Sequence, residues 1–238
     1  MVLFVFLIAA FAGCGGKKIT AAELLDGNAG ISGFRAKVTE EMTTESGSKA
    51  SKASYVGNLE FAGDVRHIYG TLQVGKREEQ KQYYVEKAPD QEGRLYIYYY
   101  KEEDSLWKLQ KLKGNTVSIN DFFGKLRSVE LQPYEENASE YVISADTDLW
   151  EVKDFGMTSF TGTGFAGVVE SMRDHSCPMH AEFRFSARTQ LMTSADFTLS
   201  EPQESAGKMV TELHISMNFT DMALSDLQIP EEIVSGAF

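Results

Sequence analysis

The sequence predicts a mostly β chain of the α+β class, with one large antiparallel sheet curved over a few short helices. Three observations predict it. Apolar and polar residues alternate through one segment after another, which is the period of half-buried strands. The segments are short and separated by turn residues such as Ser46-Gly47-Ser48 and Gly63-Asp64. Helical periodicity is confined to brief stretches, with no heptad run, internal repeat or low-complexity segment. Composition agrees: of 238 residues, 42% are hydrophobic and 24% charged, as in soluble globular proteins and unlike disordered or multi-span membrane chains. The net charge of -12 argues against nucleic acid as the main partner, because phosphate binding needs clustered positive charge.

The chain opens MVLFVFLIAAFAGCGGKK, apolar from Met1 to Gly13. That run is too short to cross a bilayer, which takes ~20 residues, but it fits the apolar region of a secretory signal. It ends in Phe11-Ala12-Gly13-Cys14, which resembles the bacterial lipobox. Small residues give a peptidase access to the bond before Cys14, whose thiol then carries diacylglycerol and whose freed amine can be acylated. Phe11 stands where leucine is commoner, and no Lys or Arg precedes the run, which leaves open a start upstream of Met1. The same stretch also fits a buried apolar strand or helix with an incidental cysteine. On the lipobox reading, residues 1–13 are a lipoprotein signal peptide, 14–19 are the lipidated Cys14 and a short tether, and 20–238 are a single domain. Each buried methylene contributes ~0.8 kcal/mol, so two or three acyl chains anchor stably. Only Cys177 is left to the mature chain, so no intramolecular disulfide can form.

Thr20-Ala-Ala-Glu23 has capping-box spacing and starts a short helix over Ala21–Asn28. In the first strand Phe34, Ala36, Val38 and Met42 share one face, and Arg35, Lys37, Thr39 and Glu41 the other. Tyr55, Leu59 and Phe61 share a face in the second, and Ile68, Leu72 and Val74 in the third, over 65–74. Strands follow over 82–86 and 93–100, and Trp107, Leu109 and Leu112 continue the pattern. Ser118-Ile-Asn-Asp121 introduces a short helix to Leu126, 139–145 returns to strand, and Asp146–Phe155 suits another helix. Phe183 and Phe185 share a face, as do Leu191, Ala195, Phe197 and Leu199. The clearest strand is 209–219, with Met209, Leu213, Ile215, Met217 and Phe219 on one side. Pro230 interrupts the C-terminal tail, Leu227 to Phe238.

A lipobox, a short helix, the strand Phe34-Arg-Ala-Lys-Val-Thr, and a closing amphipathic strand before Asp226-Leu-Gln-Ile-Pro-Glu-Glu form an order. That order resembles the LolA-like superfamily of exported lipid and lipoprotein carriers. The resemblance is one of layout over most of the mature chain, and the lipobox is its only sharp motif. It implies an incomplete, strongly curved β-barrel with helices on its concave face and an apolar cavity between them. It carries no catalytic residues. Candidate lining residues are Phe122, Phe123, Trp150, Phe183, Phe185, Phe197, Met217 and Phe219; each also fits plain core packing.

Other patterns carry less. Gly162-Thr-Gly164-Phe-Ala-Gly167 matches G-x-G-x-x-G but lacks a βαβ setting. His175-Ser-Cys177-Pro-Met179-His180 is rich in soft ligands without a second ligand pair, so no metal is expected. Glu212 and His214 share a strand's polar face, where solvated side chains are the ordinary case. The run Tyr96–Tyr100 suits a strand as well as a sugar or lipid contact. With no G-x-S-x-G or H-E-x-x-H motif, neither an enzyme nor a cofactor is expected. The charge is uneven: 1–117 hold 16 basic and 15 acidic residues, and 118–238 hold 7 and 20. The expectation is a lipoprotein anchored on the extracytoplasmic face of the cell membrane and holding an apolar ligand such as a lipid. The alternative is an envelope interaction or sensor module with a filled core that docks a protein partner.

Overall fold

The computed structural model describes residues 19–46, 48–90, 92–113, 135–136, 139–146, 165, 168, 172, 177–201 and 210–237. Their strands form one open antiparallel sheet. In chain order they are β1 (Gly33–Ser46), β2 (Lys49–Ala62), β3 (Val65–Val74), β4 (Arg77–Lys87), β5 (Arg94–Lys101), β6 (Leu106–Lys113), β7 (Glu135–Glu136), β8 (Glu140–Asp146), β9 (Met179–Ser186), β10 (Met192–Ser200) and β11 (Val210–Asp221). The spatial order is β6-β5-β4-β3-β2-β1-β11-β10-β9-β8-β7. Two meanders, β1–β6 and β7–β11, are therefore joined where β1 pairs with β11, from Arg35↔Asp221 to Glu45↔Val210. The sheet ends at β6 and β7 without closing on itself.

Alternation places the core on one face. Phe34, Ala36 and Val38 of β1 lie beside Leu59 and Phe61 of β2 and Met217 and Phe219 of β11, and all but the half-buried Phe219 are essentially inaccessible. The apolar face continues through Ala195, Phe197 and Leu199 of β10, Ala181, Phe183 and Phe185 of β9, and Ile143 and Ala145 of β8. Fully burying each large side chain contributes roughly 1.5–3 kcal/mol, so this face dominates the stability of the fold.

Helix α1 (Ala21–Ala29) covers one end of that face. Both halves of its capping box are made: Glu23 N–H donates to Thr20 Oγ1 (3.2 Å), and Thr20 N–H donates to Glu23 Oε2 (2.9 Å). Its Leu24 and Leu25 enter the core. Asn28, fully buried, fastens it to the β9–β10 turn. Its Nδ2 donates to Leu24 O and Gln190 O (2.8 Å each), and its Oδ1 accepts from Met192 N–H (2.9 Å).

Two elements differ from expectation. A register shift between Met192 and Ser194 turns Met192 into the core and leaves Leu191 exposed, where simple alternation puts Leu191 inside. In the C-terminal tail, for which the sequence predicts no helix, Pro230 is the N-cap of a second helix, α2 (Glu231–Gly236). A proline before the first turn sacrifices no helical hydrogen bond. Ile233 of α2 packs with Tyr84, Ala88, Tyr96 and Tyr98 on the opposite face of β4–β5, forming a second, smaller core. The helix expected over 118–126 lies outside the described residues, as does 147–155 of the one expected over Asp146–Phe155; Asp146 itself ends β8. Among the described residues, no helix is long and apolar enough to cross a membrane.

Candidate functional site

The apolar face carries three buried polar side chains, two of them directly paired and the third, Arg66, beside the other end of β2. Glu40 continues the inward row Phe34, Ala36, Val38 of β1, and it pairs directly with Tyr55 of β2 and Ile215 of β11. Tyr55 is completely buried, Glu40 is 2% exposed and Arg66 of β3 is 1% exposed. Arg66 pairs with Phe61, and its guanidinium carbon lies 4.6 Å from the Phe61 ring centroid.

Burial dominates the chemistry here. It pushes the Glu40 carboxyl up to about 8, against the opposing effect of Phe165 N–H, which donates to Glu40 Oε2 at 3.1 Å. The carboxyl is therefore mainly neutral at pH 7 and has an O–H to donate. Burial, followed by the charge of Glu40, raises the Tyr55 phenol far above its ordinary value. Burial lowers the Arg66 guanidinium to about 10, partly opposed by Asp64.

Tyr55 owes its place to two glycines. Gly57 and Gly70 face each other across β2 and β3. The Tyr55 ring lies along this bare backbone; a Cβ at Gly70 would sit 2.8 Å from Tyr55 Oη, and one at Gly57 would collide with it. The phenol is thus held flat in the sheet face, and its Oη has no hydrogen-bond partner among the described residues.

A groove of about 730 Å³ opens at the hairpin end of β1–β3. Met42, Ala53 and Val74 line it, each two residues along its strand from Glu40, Tyr55 and Leu72. Its lining is mixed, with Glu41, Lys52, Ser54 and Gln73 in it, and neither Glu40 nor Tyr55 is part of it. A second groove, of about 560 Å³ over β4–β6, has a charged lining in which Lys81 pairs with Glu79, and Lys101 and Lys108 with Asp104.

The residues expected to line a cavity divide by location. Phe183, Phe185, Phe197 and Met217 all belong to the buried face, with Phe219 packed at its edge against Phe34 at 5.1 Å. Phe183 meets Phe197 edge to face at 5.8 Å. Phe122, Phe123 and Trp150 lie outside the described residues, as does Cys14. Sequence reading missed Glu40 and Tyr55 as a pair. The available signal was a lone acidic residue in an otherwise apolar inward row, directly before the outward Glu41.

Gly162, Gly164, Gly167 and His175 lie outside the described residues. Cys177 and Met179 point into the core, whereas His180 faces solvent with Nδ1 2.6 Å from Asp146 Oδ1. Glu212 Oε1 is 2.6 Å from His214 Nε2, and Thr198 Oγ1 is 3.1 Å from His214 Nδ1, all exposed. His67 lies between Glu60 and Gln82 and stacks on Tyr84 at 4.1 Å; burial lowers its pKa. Among the described residues, no three His, Cys, Asp or Glu converge as metal ligands.

No family model and no curated protein matches the chain. Among solved structures, a DUF1329 family protein from Desulfovibrio piger is similar at 11% identity, with a TM-score of 0.34, over 89% of this chain and 94% of that one. An outer membrane lipoprotein-sorting protein domain, so described, from Vibrio parahaemolyticus is similar at 8% identity, with a TM-score of 0.32, over 90% of this chain and 96% of that one. The strand order and register of this chain, rather than either neighbour, define its fold.

Proposed function

We propose that this is a non-enzymatic lipoprotein of the bacterial envelope, anchored to the membrane through Cys14, that holds an apolar ligand of the lipid class against the inner face of its sheet. The observation that carries this reading is the continuous apolar face of an open sheet. Apolar ligands are held without directional bonds, by area removed from water, and an unclosed sheet gives them a lateral approach. The run Phe11-Ala12-Gly13-Cys14 supports the anchor. The acyl chains on Cys14 would keep the domain close to its ligand's source.

Native mass spectrometry of the soluble form beginning after Cys14, purified without detergent and followed by organic extraction, tests the ligand. A stoichiometric co-purified lipid is expected. A bare mass that stays unchanged after incubation with envelope lipids overturns the carrier reading and favours a filled-core module that docks a protein.

A further inference from the structure

We propose that Tyr55 Oη and the Glu40 carboxyl form the polar end of the ligand site and donate hydrogen bonds to the carbonyl oxygens of an acyl headgroup, either a free fatty acid or a glyceride ester. This rests on the reading that an apolar ligand occupies the inner face.

The argument begins with cost. A buried hydroxyl with no partner forfeits the hydrogen bonds it makes with water, a loss that folded proteins rarely accept. Phenylalanine would fill the same space over Gly57 and Gly70 without that loss. Yet Tyr55 stands there, fully buried, with its Oη unpartnered among the described residues. Its direct cross-strand neighbour is a second buried polar group, and directly opposed side chains have Cβ atoms about 5 Å apart. One carboxyl oxygen of Glu40 accepts from Phe165 N–H. A neutral carboxyl and a phenol are both donors, so together they present two O–H groups and no fixed charge. The complementary group is a neutral or weakly charged oxygen acceptor attached to an apolar body, which describes an acyl carbonyl. The groove at the hairpin end of β1–β3 begins at Met42 and Ala53, each two residues along its strand from this pair.

The chemistry also excludes ligand classes. Two donors in an apolar setting do not suit a cationic headgroup, and the buried cation of this face, Arg66, lies over Phe61. Pure hydrocarbon would fill the face but leave both donors unused. Discrimination between an acyl carbonyl and a hydrocarbon of equal length is therefore the signature of the site, since a site built to hydrogen-bond rejects analogues that lack the partner.

The test compares the wild-type soluble form with Tyr55→Phe. Binding of the apolar fluorophore N-phenyl-1-naphthylamine is measured first, then its displacement by palmitate and by monopalmitoylglycerol. Y55F is expected to bind the fluorophore with unchanged affinity, to lose about tenfold in affinity for whichever acyl ligand is native, and to gain thermal stability in the ligand-free form. Tenfold corresponds to about 1.4 kcal/mol, the size of one good hydrogen bond. The arm that weakens identifies the source, free acid or ester. Equal displacement constants for wild type and Y55F on both ligands overturn this inference while leaving the apolar site intact. Failure of the wild type to bind the fluorophore and both lipids overturns the underlying reading, and this inference with it.

Discussion

Glu40 shows how one residue couples pH to stability. Its carboxyl titrates near 4.5 in an unfolded chain and at about 8 in the fold, so between those values the native state holds a proton that the unfolded state has released. Stability therefore falls as pH rises through that window and is flat on either side of it. The slope attributable to this group has an upper limit of about 1.4 kcal/mol per pH unit. Glu40→Gln removes the titrating proton and keeps an oxygen to accept from Phe165 N–H. The variant is expected to gain on wild type steadily from pH 5 to pH 8, as measured by urea unfolding at each pH. A constant difference across that range would contradict a buried, neutral Glu40. Gly57 is the residue-scale counterpart. Gly57→Ala drives a methyl into the Tyr55 phenol and is expected to cost about 1–3 kcal/mol, read as a lower unfolding midpoint.

At the scale of elements, α1 is held by capping, apolar burial and Asn28. The cap is local and exposed, so Thr20→Ala is expected to cost about 1 kcal/mol. Asn28 joins the helix to Gln190 O and Met192 N–H with no solvent to replace it. Asn28→Ala is therefore expected to cost roughly 2–4 kcal/mol, because it strands buried backbone groups as well as losing its own bonds. Comparing the two variants by thermal unfolding checks the ranking; a smaller loss for Asn28 than for Thr20 would refute it. Helix α2 teaches a different lesson. Six residues are too few to hold a helix by themselves, and Ile233 against Tyr84, Tyr96 and Tyr98 supplies the tertiary contact.

At the scale of the whole molecule, the β1–β11 pairing holds the fold together. Every other pairing joins strands adjacent in the chain, and this one brings its two meanders into a single apolar face. The Glu40–Tyr55 pair lies beside that junction, with Glu40 paired to Ile215 of β11 on its other side. The proposed anchor belongs to the same scale. Cys14→Ala in the full chain is expected to move the protein from the membrane fraction to the soluble one, checked by fractionation and immunoblotting. Unchanged membrane association would refute anchoring through Cys14.

The sequence by itself determined the strands and their inward faces, because a period of two is written directly into the order of apolar and polar residues. It also determined the start of α1, where Thr20 and Glu23 meet across a single helical turn. Phe183, Phe185, Phe197 and Met217 were legible as one apolar set for the same reason. Tertiary structure alone decided the rest. Alternation cannot anticipate the shift that exchanges Leu191 for Met192, since a bulge depends on the partner strand. It cannot anticipate α2, whose helix forms against tyrosines more than a hundred residues away. Nor can it set Glu40 opposite Tyr55, because strand register, a property of two chain segments together, determines which side chains become neighbours inside a sheet.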